Sequence, residues 1–339
     1  MEITNDKKPF VSVIIATYNY GPFIEEAIDS VLNQTFPQNE IEIIIVDDGS
    51  TDDTAVRIKK FKDKIHYMYK ENGGLASAFN KGFEKARGEI IAFLDSDDYW
   101  DTHKLEIIVD RFEQSRCIDI VYHDLYILDN DRNIKSTYFE RTYPNLKNEF
   151  NNKPQKIERD RYLQGQSILP FPPTTGMSIK ARCLQNIMPV PEHYRTCTDT
   201  YLHFFTLFYA RECFLIKEPL GYYRFHGGNI TEDGSLLSGN KMTKIKLQQL
   251  IHVYTLLIQD IKKYGQHTGH DTSRLRTELG WWVTSWETEL DNTSYLKAKI
   301  FLRTHYRILK EEGLKRYLLY SYHYRKGQVF DWIKKILQT

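Results

Sequence analysis

Phe93-Leu94-Asp95-Ser96-Asp97-Asp98-Tyr99-Trp100 is the stretch on which the reading of this chain turns. The apolar run that leads into it, from Ile90 to Leu94, has the length and composition of a buried strand. It ends in three carboxylates within four residues. A strand that delivers acidic residues at its C-terminal end places them at the mouth of an open α/β sheet, where ligands bind. Clustered carboxylates repel, and their hard oxygens suit Mg2+ or Mn2+, ions that normally also grip a phosphate-bearing substrate. For a lone Asp-x-Asp the plain alternative is an acidic turn in which Asp98 caps the next helix. The flanking sequence decides between the two.

Upstream, residues 10–16 form a second buried run, broken only by Ser12, followed by the turn Thr17-Tyr18-Asn19-Tyr20-Gly21-Pro22. Residues 23–33 then carry Phe23, Ala27, Ile28, Val31 and Leu32 at helical spacing. A third run, 41–46, ends in Asp47-Asp48-Gly49-Ser50-Thr51-Asp52-Asp53, with a helix expected over 52–61, a strand over 65–70 and a helix over 75–86. Strands alternating with helices in this way predict an α/β fold with a mostly parallel, doubly wound sheet. No Gly-x-Gly-x-x-Gly follows the first strand, which argues against a dinucleotide-binding enzyme. Downstream, a helix is expected over 103–115, a strand within 118–128 continuing as a hairpin through Asp129-Asn130-Asp131, and a strand over 216–225. Residues 135–160 are polar and poorly periodic and read as a mobile insertion. After about residue 239 the pattern becomes purely helical, which divides the chain into an α/β domain over 1–238 and a helical C-terminal domain over 239–339.

The bulk properties fit a globular protein with a sizeable core. The chain has 339 residues, 41% of them apolar, and a formal charge of +1, so no overall field points to nucleic acid. The four cysteines lack metal-type spacing and read as reduced thiols. The polar N-terminus does not read as a signal peptide, and no run approaches the ~20 apolar residues of a spanning helix. These features predict a cytoplasmic protein.

Four motifs occur in order: Val11-Ser12-Val13-Ile14-Ile15-Ala16-Thr17-Tyr18-Asn19, Val46-Asp47-Asp48-Gly49-Ser50-Thr51-Asp52, Asn72-Gly73-Gly74-Leu75-Ala76-Ser77-Ala78-Phe79-Asn80-Lys81-Gly82, and the run from Gly88 to Asp98. Together they resemble the family 2 glycosyltransferases of GT-A fold, strongly over about residues 10–115 and weakly to about 235. The resemblance implies transfer of a sugar from a nucleotide-activated donor, UDP-sugar foremost, with inversion and a divalent cation, Mn2+ or Mg2+. It implies Asp97 as the metal ligand and Asp95 as a contact to the ribose and the metal's hydration shell. It places Ala16, Tyr18, Asp48 and Asn72 around the nucleotide, with Asp48 accepting the ring N–H of the base. An inverting transfer needs a base for the acceptor hydroxyl, and the resemblance assigns Asp199 in Thr198-Asp199-Thr200-Tyr201-Leu202, with Thr198 where the family often has Glu. The plain alternative for Asp199 is an N-cap. Phe79 stands where many members carry Arg. Tyr222-Tyr223-Arg224-Phe225-His226 is similar to a late family segment, which implies His226 at the metal or diphosphate and Arg224 at the diphosphate or in a structural pair. Gly176 and Met177 fall where the family forms the sugar or acceptor pocket.

Residues 300–339 carry nine Lys or Arg against three acids, interleaved with aromatic residues. Such helices lie on anionic membrane surfaces, or form the solvated face of a bundle or a homo-oligomer contact. The expected partners are therefore a nucleotide-sugar donor and a saccharide or lipid-linked acceptor used in surface-polysaccharide or O-antigen assembly. Two other readings compete. A sugar nucleotidyltransferase calls for a Gly-rich, basic loop after the first strand, where this chain has Thr17-Tyr18-Asn19; a non-catalytic binding module calls for loss of Asp97 or Asp199, and both are present.

Overall fold

A computed structural model describes residues 9–142, 154–156, 171–226 and 244–273, with 275, 276, 279, 280 and 283. The chain divides into two compact units, one of residues 1–140, 148–157 and 171–226, the other of residues 141–147, 158–170 and 227–339.

The first unit opens with β1 (Val11–Thr17), α1 (Gly21–Leu32), β2 (Ile41–Asp47), the short α2 (Thr54–Ile58), β3 (His66–Tyr69), α3 (Leu75–Lys85) and β4 (Ile90–Asp95). β1 pairs in parallel with β2 and β4, and β2 with β3. All seven residues of β1 are buried, which is why the strand reads as a continuous apolar run rather than an alternation. Val11, Val13 and Ile15 join Ile24, Ala27, Ile28 and Val31 of α1 in one cluster. The opposite face of β1 receives α3, whose Gly82 lies so close that a Cβ there would stand 2.6 Å from the Ile14 Cγ2. Each such fully buried aliphatic side chain contributes about 1.5–3 kcal/mol.

The second half follows as β5 (Tyr99–Trp100), α4 (Lys104–Gln114), β6 (Ile118–Leu128), β7 (Ile134–Thr137), α5 (Tyr138–Thr142), β8 (Pro154–Lys156), β9 (Met177–Lys180), α6 (Ala181–Leu184), α7 (Thr198–Leu207) and β10 (Glu212–Arg224). The ten-stranded sheet has the order β3-β2-β1-β4-β9-β6-β10-β5, with β7 on β6 and β8 on β10. β9 is antiparallel to both β4 and β6, while β6 and β10 are parallel. The sheet is thus an all-parallel half joined to a mixed half through one reversed strand.

The expected hairpin after residue 128 is present, β7 pairing antiparallel with β6. The stretch 135–160, expected to be a mobile insertion, instead contributes β7, α5 and β8 among its described residues. Both strands hold on through backbone pairing at the sheet's margin, which needs no apolar alternation. The four cysteines are free thiols.

In the second unit, α8 (Lys244–Thr268) buries Val253, Tyr254, Leu257 and Ile261. No helix among the described residues is long and apolar enough to cross a membrane. The end of the helical pattern expected after residue 239, including the basic stretch 300–339, lies outside the described residues.

Candidate active site

β4 ends at Asp95 and the chain turns at once, the Asp98 N–H donating to the Asp95 carbonyl at 3.0 Å. Each carboxylate of this turn has a different set of partners. Asp95 accepts from the Thr174 hydroxyl at 2.6 and 2.8 Å, one distance to each oxygen, and from the Thr175 hydroxyl at 3.3 Å. Asp98, almost fully buried, accepts from the Thr175 hydroxyl at 2.6 Å and from the Arg224 N–H at 2.9 Å. Asp97 meets the His226 Nε2 at 3.1 Å. Burial first, and then the charge of Asp97, push Asp95 up to about 7 against the pull of the threonine hydroxyls, with Asp199 adding to the rise. The same two causes raise Asp98 well above the ordinary carboxylate range. The phenol of Tyr20 is raised by burial and by the charges of Asp97, Asp95 and Asp98. Its ring stands edge-on to His226, which stacks on Phe23 with centroids 4.5 Å apart.

Beside this turn, at the same end of the parallel strands, lie the ends of β1 and β2. Thr17 is the register partner of Asp47 and Asp47 of Tyr69, so three strands finish level. Asp47 binds back into its own turn, accepting from the Ser50 N–H at 2.8 Å and from the Tyr67 hydroxyl at 2.8 Å. Asp48 points to the other side. It accepts from the N–H groups of Gly73 at 2.9 Å and Gly74 at 2.7 Å and from the Lys70 ammonium at 2.6 Å. Asn19 has φ +57°, a conformation Asn tolerates, and its side-chain oxygen accepts from the Thr51 N–H at 2.7 Å, tying the β1 turn to the β2 turn. Ala16 is buried, whereas Tyr18 is 41% exposed. The Asn72 side chain accepts from Arg195 at 2.7 Å.

Asp199 sits in the first turn of α7 and not at its N-cap, which is Cys197 in a left-handed conformation. One of its oxygens accepts from the Thr200 N–H at 2.8 Å. Its influence on Asp95 places it near the acidic turn. Arg224 is drawn into a pair: its guanidinium meets Glu26 of α1 at 2.9 Å and lies over the rings of Phe23 and Tyr99. Gly176 and Met177 are both buried, Met177 as the register partner of Tyr122 inside the sheet. A Cβ on Gly176 would stand 2.7 Å from the His123 carbonyl oxygen, so only glycine fits there. The residues of this segment that touch the acidic turn are the two before them, Thr174 and Thr175.

The family described as Glycosyl transferase family 2 matches residues 12–182. An uncharacterised glycosyltransferase of Nostoc sp. is 32% identical over 318 residues, which are 91% of this chain and 88% of that protein. The chain is a family 2 glycosyltransferase. A Bacillus subtilis glycosyltransferase whose name assigns it provisionally to teichuronic acid biosynthesis, TuaG, is 45% identical over 114 residues, 32% of this chain and 44% of that one. Among solved structures, S. aureus TarS 1–349 superposes with a TM-score of 0.57 at 18% identity, covering 94% of this chain and 92% of TarS. The same TarS fragment is also solved with UDP-GlcNAc, and a mannosyltransferase of Pyrobaculum calidifontis, TM-score 0.52 at 15% identity over 98% of this chain and 88% of that one, with GDP-Man and Mn2+. The fold of this glycosyltransferase is accordingly GT-A.

A divalent cation implied by the fold fits the donor set of the glycosyltransferase. No Lys or Arg side chain pairs with Asp95 or Asp98 among the described residues, and burial opposes the charge on both. The hydrogen bond between His226 and Asp97 needs a proton on Nε2, because an ionised carboxylate only accepts. A metal shared by the two side chains would take that proton's place. No group of three or more His, Cys, Asp or Glu among the described residues is arranged to hold a metal by itself. The fit is therefore to an ion held by one or two side chains and completed by substrate oxygens, the usual arrangement for Mg2+ beside a diphosphate. The residues missed by sequence reasoning are Thr174, Thr175 and Tyr20. Tyr20 carried a signal, being in the turn that ends β1; the two threonines carried none of charge or spacing.

Proposed function

We propose that this glycosyltransferase moves a sugar, with inversion, from a nucleoside-diphosphate sugar to a hydroxyl of a saccharide or lipid-linked acceptor during assembly of a cell-surface polysaccharide. The observation that carries the proposal is the acidic turn: Asp95, Asp97 and Asp98 gathered at the C-terminal end of parallel strands, with His226 at 3.1 Å from Asp97. UDP is the foremost nucleotide. TarS is solved with UDP and UDP-GlcNAc, and TuaG bears a name from surface-polysaccharide synthesis.

In this reading Asp97 and His226 hold the cation and Asp95 contacts the ribose. When bound, the cation neutralises the charge that develops on the diphosphate as its bond to the sugar breaks. The nucleoside occupies the level ends of β1 and β2. A carboxylate offers about four lone-pair positions, and the Asp48 carboxylate has three of them filled by Gly73, Gly74 and Lys70, which leaves one for the ring N–H of uracil. Tyr18 is exposed enough to stack on the base, and Ala16 and Asn72 flank it. Asp199, raised on the first turn of α7, removes the proton of the acceptor hydroxyl as it attacks the anomeric carbon from the side opposite the diphosphate. Gly176 shapes the neighbouring wall by its lack of a side chain, Met177 supports that wall from beneath, and Arg224 orients α1 against the acidic turn.

Isothermal titration with UDP, dTDP and GDP, each with Mn2+ and with EDTA, tests the proposal on the wild type and Asp97→Ala. Binding of UDP that needs the metal and is lost in Asp97→Ala is the expected result. Absence of binding by any of the three nucleotides to the folded wild type would overturn it.

A further inference from the structure

We infer that Thr174 and Thr175 are positioning residues, whose hydroxyls fix the carboxylates of Asp95 and Asp98 in the orientation from which the acidic turn receives a cation and a diphosphate. The inference rests on the function proposed above. Its observations are independent of that function. The Thr174 hydroxyl lies within 2.6 and 2.8 Å of both Asp95 oxygens, so one proton is shared across the carboxylate and sets its plane. The Thr175 hydroxyl has one proton to give. It accepts from the Asp95 N–H at 3.2 Å and directs its proton to the Asp98 Oδ2 at 2.6 Å, the nearer of two carboxylate oxygens, the Asp95 Oδ2 standing at 3.3 Å. Thr175 thereby links the backbone of one acid to the side chain of another. Both threonines are buried, Thr175 completely.

The pair is itself held from behind. The Trp100 indole N–H donates to the Thr175 carbonyl at 2.9 Å. The Lys104 Nζ lies 3.4 Å from the centre of the Trp100 ring and donates to the Ser178 hydroxyl at 3.3 Å, two residues into β9. Backbone order explains why threonines reach the turn at all. Ala92 is the register partner of Ser178 and Ile91 of Ile179, in antiparallel sense. Following that register outward sets Thr175 opposite Asp95. A pair that served packing alone would be as well met by valine, which has the same shape and branching. Two hydroxyls at this place instead supply the only hydrogen bonds from other side chains to Asp95 and Asp98 among the described residues, and so fix both carboxylates beside Asp97.

The test uses the full chain and compares Thr174→Val and Thr175→Val with Thr174→Ser and Thr175→Ser. Mn2+ binding is followed by loss of the free-ion electron paramagnetic resonance signal, with and without UDP, and folding by circular dichroism. The valine variants are expected to weaken Mn2+ binding in the presence of UDP by about 10-fold, the lower end of what outer-shell groups contribute, because Asp95 contacts the ribose and the metal's hydration shell and not the metal itself. The serine variants, which keep the hydroxyl, are expected to stay close to the wild type. Should Thr175→Val not fold, Thr174→Val, which touches Asp95 alone, carries the test. Valine variants that bind Mn2+ and UDP as the wild type does would overturn the inference and leave the proposed function standing. Serine variants as weak as the valine ones would overturn it too, because packing and not the hydroxyl would then be responsible. A wild type that binds no Mn2+ with UDP, dTDP or GDP would overturn both.

Discussion

Asp199 and Asp48 have similar chemistry and opposite surroundings. Asp48 has three of its acceptor positions filled by Gly73, Gly74 and Lys70, which fixes the orientation of its carboxylate. Asp199 is only half-buried, and one of its oxygens accepts from the neighbouring Thr200 N–H. Asp199→Asn keeps that bond geometry and removes the basicity. It is expected to lower kcat by about 10^2 to 10^4-fold, with the donor KM changed little, in a steady-state assay with the donor identified by titration. An equal loss in donor affinity and kcat would assign Asp199 to binding. At this scale the sequence was informative where charge marks a residue, as at Asp95, Asp97 and Asp98. It was silent at Thr174 and Thr175, whose roles are set by partners about 80 positions away in the chain.

At the scale of elements, α3 shows how a turn becomes part of a site. Gly74 caps its start with φ +91° and ψ 172°, a region essentially reserved for glycine, and presents its N–H to Asp48. A Cβ there would also stand 2.9 Å from the Arg195 Cα. Gly74→Ala is expected to destabilise the protein by about 1–3 kcal/mol in urea unfolding, and to weaken nucleotide binding in the same preparation because Asp48 loses its alignment. Unchanged nucleotide affinity would separate the cap from the pocket. β1, β2 and β4 were legible because strands buried on both faces are continuous apolar runs. The hairpin turn into β7 was legible too, but the course of β7 past residue 134 and β8 were not, since polar sequences such as Lys135-Ser136-Thr137 pair well enough at a margin. β9 was hidden by length: four residues carry no period.

On the scale of the whole molecule, two imidazoles shape the response to acid. His123 and His203 are fully buried, and burial holds each down to about 3, with the nearby Lys104 charge adding to the effect at His123. His203 stacks on Phe171 and meets the Tyr122 hydroxyl at 3.1 Å. Such groups stay neutral in the folded chain while the unfolded chain binds protons below about 6.5, so stability falls as the pH drops from there towards 3. Each contributes a slope of up to about 1.4 kcal/mol per pH unit. His203→Gln, which can still accept from Tyr122, is expected to make the decline between pH 6 and 4 shallower by about that amount in urea titrations; an unchanged slope would show that His203 takes up its proton without unfolding. The reversed strand at the sheet's centre bears on how the protein is made. All four glycosyltransferase motifs have left the ribosome once residue 98 is out, yet β9, which fills the gap between β4 and β6, is encoded at 177–180. A nascent chain halted before residue 174 would thus carry all four of those motifs with its acidic turn unbraced, and the bracing comes with a segment that none of the four includes.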